Sequence, residues 1–241
     1  MVIDVCVNGH PARVEDWERI REQLSFQYEN VQESPFLPFR EVLDYWGEGI
    51  YPTHLKALRE TRTEATHALF LQEDILLCEN FLPAVQRTVE VYPDDIISYY
   101  CPRKICTVEH QNGRSWVAIR GGIWGQAMLY PVRHIPAILD WCASTLTDNY
   151  PHDDTAITAY CLDKGIRAMI TIPSLVEHVG YDRSLLGHSA QIGKNVRRAA
   201  LYIGDTDPLS IDWERRAITE QKSSLREYLP SLRPYLKRSL Y

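Results

Sequence analysis

Short apolar runs bounded by turn residues alternate with stretches in which apolar residues recur at helical spacing, and this alternation carries through most of the chain. Val2–Val7 reads as a buried first strand closed by Asn8-Gly9-His10-Pro11. Val14 to Leu24 follows as a helix, with Trp17, Ile20 and Leu24 on one side. A second helix is expected over His54–Ala65, and Ala68–Leu71 is a buried strand running into Gln72-Glu73-Asp74. Pro83 suits the first turn of a helix reaching Val91, and Ile96–Tyr100 is a further strand. Ile105–His110 and Ser115–Ile119 flank Gln111-Asn112-Gly113-Arg114, and Asn-Gly there predicts a hairpin. A glycine-rich segment, Gly121–Gly125, precedes a strand over Gln126–Tyr130 and a helix from Val132 to Ala143. A helix from Asp154 ends at Lys164-Gly165, and Arg167–Ile172 is a strand closed by Pro173. Strands alternating with helices argue for an α/β fold with a mixed, mostly parallel sheet covered on both faces. Beyond Asp205 the pattern turns helical with polar breaks (Trp213, Ile218, Leu225, Leu229), an appendage packed on the core.

Length changes this picture little: 241 residues make one domain, at ~100–200 residues each, with a small extension. The division expected is 1–187 for the catalytic domain and 188–241 for a basic, mainly helical extension. With 45% hydrophobic and 24% charged residues the composition is that of a globular protein. No stretch reaches the ~20 apolar residues of a membrane span. Met1–Val7 carries an acid and no basic region, unlike a signal peptide. Six cysteines without a CxxC pair read as reduced, buried thiols of a cytoplasmic protein, not as a zinc site or a disulfide frame.

Charge adds an asymmetry. The net charge is −6, yet from Arg183 onward there are 11 basic and 6 acidic residues. Such a tail is either a solvated helical surface or a face for an anionic partner.

The candidate chemistry lies after strands, where ligands bind in open α/β sheets. Glu73-Asp74 follows a buried strand directly; two adjacent carboxylates there suit a hard divalent cation, or simply form a solvated turn. His152-Asp153-Asp154 opens a helix. One aspartate serves as a cap, and the spare one is a candidate general base. His178 lies in a post-strand segment, Pro173 to Gly180, and is either structural or an additional ligand for Mn²⁺. Arg120-Gly121-Gly122-Ile123-Trp124-Gly125 has neither P-loop nor GxGxxG spacing, but its glycines permit close approach of a ligand to backbone.

Taken in order, an acidic pair after a strand, a glycine-rich loop, an acidic pair opening a helix and a late histidine resemble the four recurrent sites of GT-A-fold glycosyltransferases. The likeness runs over residues 2–187. It implies a single GT-A-like (Rossmann-like) domain in which Asp74 and His178 hold Mn²⁺ or Mg²⁺. It also implies that Asp154 or Asp153 is the catalytic base of an inverting transfer. Asn8, Arg13, Glu73, Gly121 and Gly122 would then bind the donor, a nucleotide-sugar with a UDP-sugar expected. Gln72 stands where a strict DxD motif has aspartate, and the helix-opening motif lacks its glutamate. The strings LFLQEDILLCENF and IPSLVEHVGYDRSLLGH further resemble small phage-encoded glycosyltransferases, some of which decorate hydroxymethylated bases in DNA. With such an acceptor, Lys194, Arg197 and Arg198, with Arg215, Arg216, Arg233, Lys237 and Arg238, would contact phosphates, in the cytoplasm of a phage host. Two rivals come from other classes: a nucleotidyltransferase on a similar sheet, and a non-catalytic DNA-binding protein using the basic tail.

Overall fold

In the computed structural model, residues 1–31, 34–179, 198–215, 220–222 and 224–237 are described. The N-terminal apolar run forms β1 (Ile3–Gly9), buried along its length. Ile3, Val5 and Val7 join one hydrophobic cluster and Cys6 the other, the period-2 alternation of a strand covered on both faces. In order there follow α1 (Val14–Asn30), β2 (Arg40–Leu43), α2 (Ile50–Arg59), β3 (His67–Gln72), β4 (Ile75–Leu77), α3 (Phe81–Val91) and β5 (Ile96–Ser98). Next come α4 (Lys104–Gln111), β6 (Trp116–Arg120), β7 (Ala127–Pro131), α5 (Ile135–Thr145), α6 (Asp153–Lys164) and β8 (Ala168–Thr171). The last elements are β9 (Val176–His178), β10 (Glu220–Lys222) and α7 (Leu225–Leu232).

Among the described residues, one mixed eight-stranded sheet has the order β10-β6-β8-β5-β7-β3-β1-β2. β1 is parallel to β2 and β3, and β5 is parallel to β8. β7 runs antiparallel between β3 and β5, so β1, β2, β3, β5 and β8 all point the same way. Their carboxyl ends therefore open on one edge, with the amino end of β7 beside them. Helices α1 and α3 supply Trp17, Ile20, Leu24, Phe81, Leu82 and Val85 to the core on one face. On the other face α2, α5 and α6 supply Leu55, Leu58, Ile138, Trp141, Ile157 and Tyr160. The fold is α/β in three layers, and no helix among the described residues is long and apolar enough to cross a membrane.

Two expectations need correction. Ile105–His110 is not a strand of a hairpin but part of α4, which buries Cys106 and Glu109 three residues apart. Asn112-Gly113 ends that helix, with Gly113 at φ +72° and its N–H donating to the His110 carbonyl. A left-handed glycine serves a helix terminus as readily as a hairpin, so the dipeptide alone does not choose. The strand after it is real, but β6 pairs with β8 and β10. Second, the helix expected over His54–Ala65 spans Ile50–Arg59 instead; beyond it the Arg62 backbone N–H donates to Asp4. His54 is thereby a mid-helix residue, not the first. Among the described residues of the C-terminal segment, a strand, β10, extends the main sheet and α7 is an eight-residue helix. What anchors this segment is Trp213, packed edge-on against Trp116 at 5.4 Å and accepting the Trp116 indole N–H at its carbonyl.

Candidate active site

The site is built where β1 and β3 end. Asn8 and Gln72 sit opposite each other in the β1–β3 ladder, and Asn8 is buried with no hydrogen-bond partner for its Nδ2. Gly9 follows, and a side chain there would collide with the Glu73 carboxylate. The next turn is tied to the acidic pair. The His10 backbone N–H donates to Glu73 Oε1 at 3.1 Å, and the His10 carbonyl accepts the Arg13 N–H at 3.1 Å and the Trp17 indole N–H at 3.0 Å. That turn aims Arg13 at both acids: its Nε lies 3.4 Å from Glu73 Oε1, and its Nη1 hydrogen-bonds Asp74 Oδ2.

His178 comes to the same carboxylate from far along the chain. β4 and β9 form a separate two-stranded antiparallel sheet in which Ile75 faces His178. The ladder puts His178 Nε2 3.2 Å from Asp74 Oδ2, and the Val179 N–H donates to the Asp74 carbonyl. Asp74 and His178 are thus in direct contact.

The two acids are pushed opposite ways. Burial, reinforced by the Asp74 charge, raises Glu73 to about 7 despite the opposing pull of Arg13. Burial also disfavours charge on Asp74, but the hydrogen bond and charge of His178, followed by Arg13, outweigh it and hold that carboxyl low. Asp74 therefore stays ionised while Glu73 titrates near neutrality.

The helix-opening pair divides as well. Asp153 is buried at the first position of α6, with Gly125 and the Gln72 amide beside its carboxylate. Burial lifts it to about 6, partly offset by the Asp154 and Asp153 backbone N–H groups and by the Gln72 side chain, while the Asp74 charge adds to the rise. Asp154 turns back on its own helix, its Oδ1 accepting the Thr155 N–H at 2.6 Å. Asp153 is thus the member gathered with Gln72, Gly125 and Asp74 at the strand ends.

The glycine-rich segment contributes through its last residue. A side chain at Gly125 would meet Asp153 and Gln72, whereas one at Gly121 would meet Leu162 and one at Gly122 would meet Arg103. Gly121 and Gly122 take φ values of +87° and +79° that only glycine adopts without strain. The Arg103 guanidinium in turn lies 4.7 Å over the Trp124 ring.

Of the basic residues expected to face an acceptor, Lys194 and Arg197, with Arg216 and Arg238, lie outside the described residues. Arg198 is exposed and precedes Ala199, whose N–H donates to Glu177. Arg215 is held by Asp212 and the Gly113 carbonyl, and Lys237 by Asp148 and the Ala143 carbonyl. These described members sit on different parts of the fold.

One neighbour of Asp153 carried no sequence signal. His54, from α2, lies with Nδ1 3.8 Å from Asp153 Oδ2 and Nε2 3.2 Å from the Tyr130 hydroxyl. Lone histidines on apolar helix faces are usually core residues, and only the tertiary contact distinguishes this one.

A divalent cation fits at Asp74. Its Oδ1 is buried without a hydrogen-bond partner, and a carboxylate with an imidazole is a donor set suited to Mn²⁺. Among the described residues no three His, Cys, Asp or Glu side chains converge to hold an ion, so the remaining ligands would come from substrate oxygens or water.

No protein-family model and no curated protein sequence matches the chain. Among solved structures it is similar to residues 1–349 of TarS from S. aureus, at TM-score 0.46 and 10% identity over 72% of this chain and 58% of that one. A second TarS structure gives TM-score 0.40 and 11% identity over 71% and 35% of the two chains. The catalytic domain of Drosophila β1,4-galactosyltransferase 7, in complex with xylobiose, gives TM-score 0.42 and 9% identity over 93% and 82%. The chain spans little more than half of one TarS structure and about a third of the other. These are partial likenesses of shape.

Proposed function

We propose that the protein is a glycosyltransferase that moves a sugar from a nucleotide-sugar, a UDP-sugar by expectation, to an acceptor hydroxyl with inversion. The observation that carries this reading is the convergence, at the carboxyl ends of β1 and β3, of two functionally distinct acid centres. One is Asp74, kept ionised beside His178 and Arg13; the other is Asp153, buried and near neutrality. The series along the sequence that resembles GT-A glycosyltransferases supports the same assignment.

In this reaction Asp153 removes the proton of the acceptor hydroxyl as its oxygen attacks the anomeric carbon. The bond from that carbon to the diphosphate oxygen breaks, and the nucleoside diphosphate leaves. A carboxylate near 6 is ionised at neutral pH yet more basic than an ordinary one, which is what a general base requires. Arg13, the cation already beside Glu73 and Asp74, would oppose the departing charge electrostatically. Asp74 and His178 would hold Mn²⁺ or Mg²⁺, and that group would supply positive charge against the negative charge developing on the diphosphate. Asn8 and Gly9 leave room and one unpartnered amide for the donor. The acceptor we infer is a hydroxymethylated base in DNA, on the strength of the sequence resemblance.

Thermal-shift measurements with nucleoside diphosphates, nucleotide-sugars and nucleoside triphosphates, each with and without Mn²⁺, test the donor site. The expected result is stabilisation by a uridine diphosphate or its sugar that requires the metal and disappears in Asp74→Ala. Stabilisation by triphosphates alone, with release of pyrophosphate on turnover, would establish the nucleotidyltransferase instead. No shift with any nucleotide would overturn the reading. Sugar transfer to hydroxymethylated but not to unmodified DNA tests the acceptor separately.

A further inference from the structure

We propose that Arg103 holds a phosphodiester of the acceptor strand, next to the base that receives the sugar. This deepens the transferase reading and rests on its DNA acceptor, but the binding involved needs neither donor nor metal.

β5 points the same way as β1 and β3, so the chain leaving it emerges on the edge that carries Asp74 and Asp153. The segment that follows is pinned from several sides. The Tyr99 N–H donates to the Ala127 carbonyl, the Cys101 N–H donates to Ser174 Oγ, and the Cys101 carbonyl accepts the Ala200 N–H. Arg103 comes next, in extended conformation at the start of α4, and its carbonyl accepts the Cys106 N–H.

Two contacts place its side chain. The guanidinium lies 4.7 Å over the Trp124 ring, and a Cβ at Gly122 would come within 2.8 Å of its Nη2. The glycine thus clears the space that the guanidinium occupies. Stacking on the ring fixes the plane of the group and leaves its N–H edge free to donate.

That edge has no counter-charge. Among the described residues the half-buried Arg103 guanidinium makes no ion pair and no hydrogen bond. Arg13, by contrast, is committed to Glu73 and Asp74, and Arg40 and Arg62 are committed to Asp4. An arginine stays charged at any physiological pH, and its planar fork of donors matches two oxygens of a phosphate. The missing anion is therefore one that a ligand brings.

The stretch Gly122–Gly125 connects this cation to the candidate base. Arg103 meets it at Gly122 and Asp153 meets it at Gly125. The two Cα atoms lie at most ~11 Å apart, three steps of ~3.8 Å. A nucleotide whose hydroxymethyl group reaches Asp153 can cover that span with its own sugar and phosphate. Enzymes that act on a base take it out of the stack, and contacts to phosphate hold the strand in position while they do so.

Fluorescence anisotropy tests the contact, using a labelled single-stranded oligodeoxynucleotide with one hydroxymethylcytosine, over a series of salt concentrations, without donor or metal. Arg103→Gln should bind about tenfold to a hundredfold more weakly, as expected for losing one hydrogen-bonded charge. The slope of log affinity against log salt should shrink by about 0.7, the share of one phosphate on a single strand. Arg103→Lys should keep the wild-type slope at an intermediate affinity, because it keeps the charge and loses the fork. Urea midpoints establish that both variants are folded. A wild-type slope in Arg103→Gln would reduce Arg103 to a packing partner of Trp124 and overturn the proposal. So would a wild type that does not bind the oligonucleotide, an outcome that leaves donor binding and the transferase standing. Loss of the nucleotide-sugar thermal shift in Arg103→Gln, with oligonucleotide binding intact, would move Arg103 to the donor and overturn it as well. A wild type that binds the strand but no nucleotide would remove the transferase reading, and the predicted change of slope would still uphold the contact.

Discussion

Arg13 bridges Glu73 and Asp74, two carboxylates that follow one another in the chain and are both buried. Its side chain is only 12% exposed, so this is an interior ion cluster in which one cation partners two acids. Removing one member of a buried pair leaves uncompensated charge and costs ~3–5 kcal/mol, far more than an exposed pair. Arg13→Gln is therefore expected to lower stability by about that amount in urea denaturation. Adding Glu73→Gln should restore part of it, because the double variant buries one acid fewer. A single variant as stable as wild type would show that Arg13 is not the counter-charge of the pair.

Gly9 is required for steric reasons, since a methyl group there would overlap the Glu73 carboxylate. Its backbone is an ordinary strand conformation, so conformational strain does not enter. Overpacking of this kind costs ~1–3 kcal/mol. Gly9→Ala should lose stability in that range, and Glu73→Ala in the same chain should recover most of it. Failure of the second change to rescue the first would place the clash elsewhere.

The stability of the fold should depend on pH in a definite direction. Glu73 is raised to about 7 and Asp153 to about 6, so the folded state favours their protonated forms. Their contribution is full below the ordinary carboxylate values and is lost as pH rises through about 6 and 7. Asp74 acts in the opposite sense, since its depressed value gives stability that is lost only in strong acid. Between pH 5 and pH 8 the urea midpoint should therefore fall, and Glu73→Gln should flatten the fall. A Glu73→Gln profile parallel to wild type would rule out Glu73 as a source of it.

The parts of this arrangement legible in sequence were those fixed by local pattern. β3, α3, α6 and the turn at Gly165 follow from apolar period, an early proline and a terminal glycine, and their boundaries differ from expectation by a residue or two. The last six residues of α1 were hidden because Gln27 replaces an apolar residue on the buried face, where its amide donates to the Cys78 carbonyl and accepts the Leu82 N–H. Asp74 and His178 were legible as residue types after strands, and a β-ladder that brings them together is decided at long range. His54 was illegible for the same reason, compounded by a helix start misplaced by four residues.

Asp153 and Asp154 are adjacent and chemically identical, so they offer a sharp comparison. Asp154 spends an oxygen on Thr155, whose N–H and hydroxyl both reach its Oδ1, and this is the behaviour of a helix-terminus residue. Asp153 keeps Oδ2 unpartnered in a buried pocket shared with Gly125, Gln72 and His54. On the transferase reading, Asp153→Asn removes the base and should lower kcat by ~10²–10⁴ with little effect on donor binding. Asp154→Asn retains a side-chain oxygen for Thr155 and should leave kcat within about a factor of ten. In wild type kcat/KM should decline below about pH 6 as Asp153 takes up a proton, and that limb should be absent from the residual activity of Asp153→Asn. A large loss in Asp154→Asn with near-normal rates in Asp153→Asn would reverse the assignment.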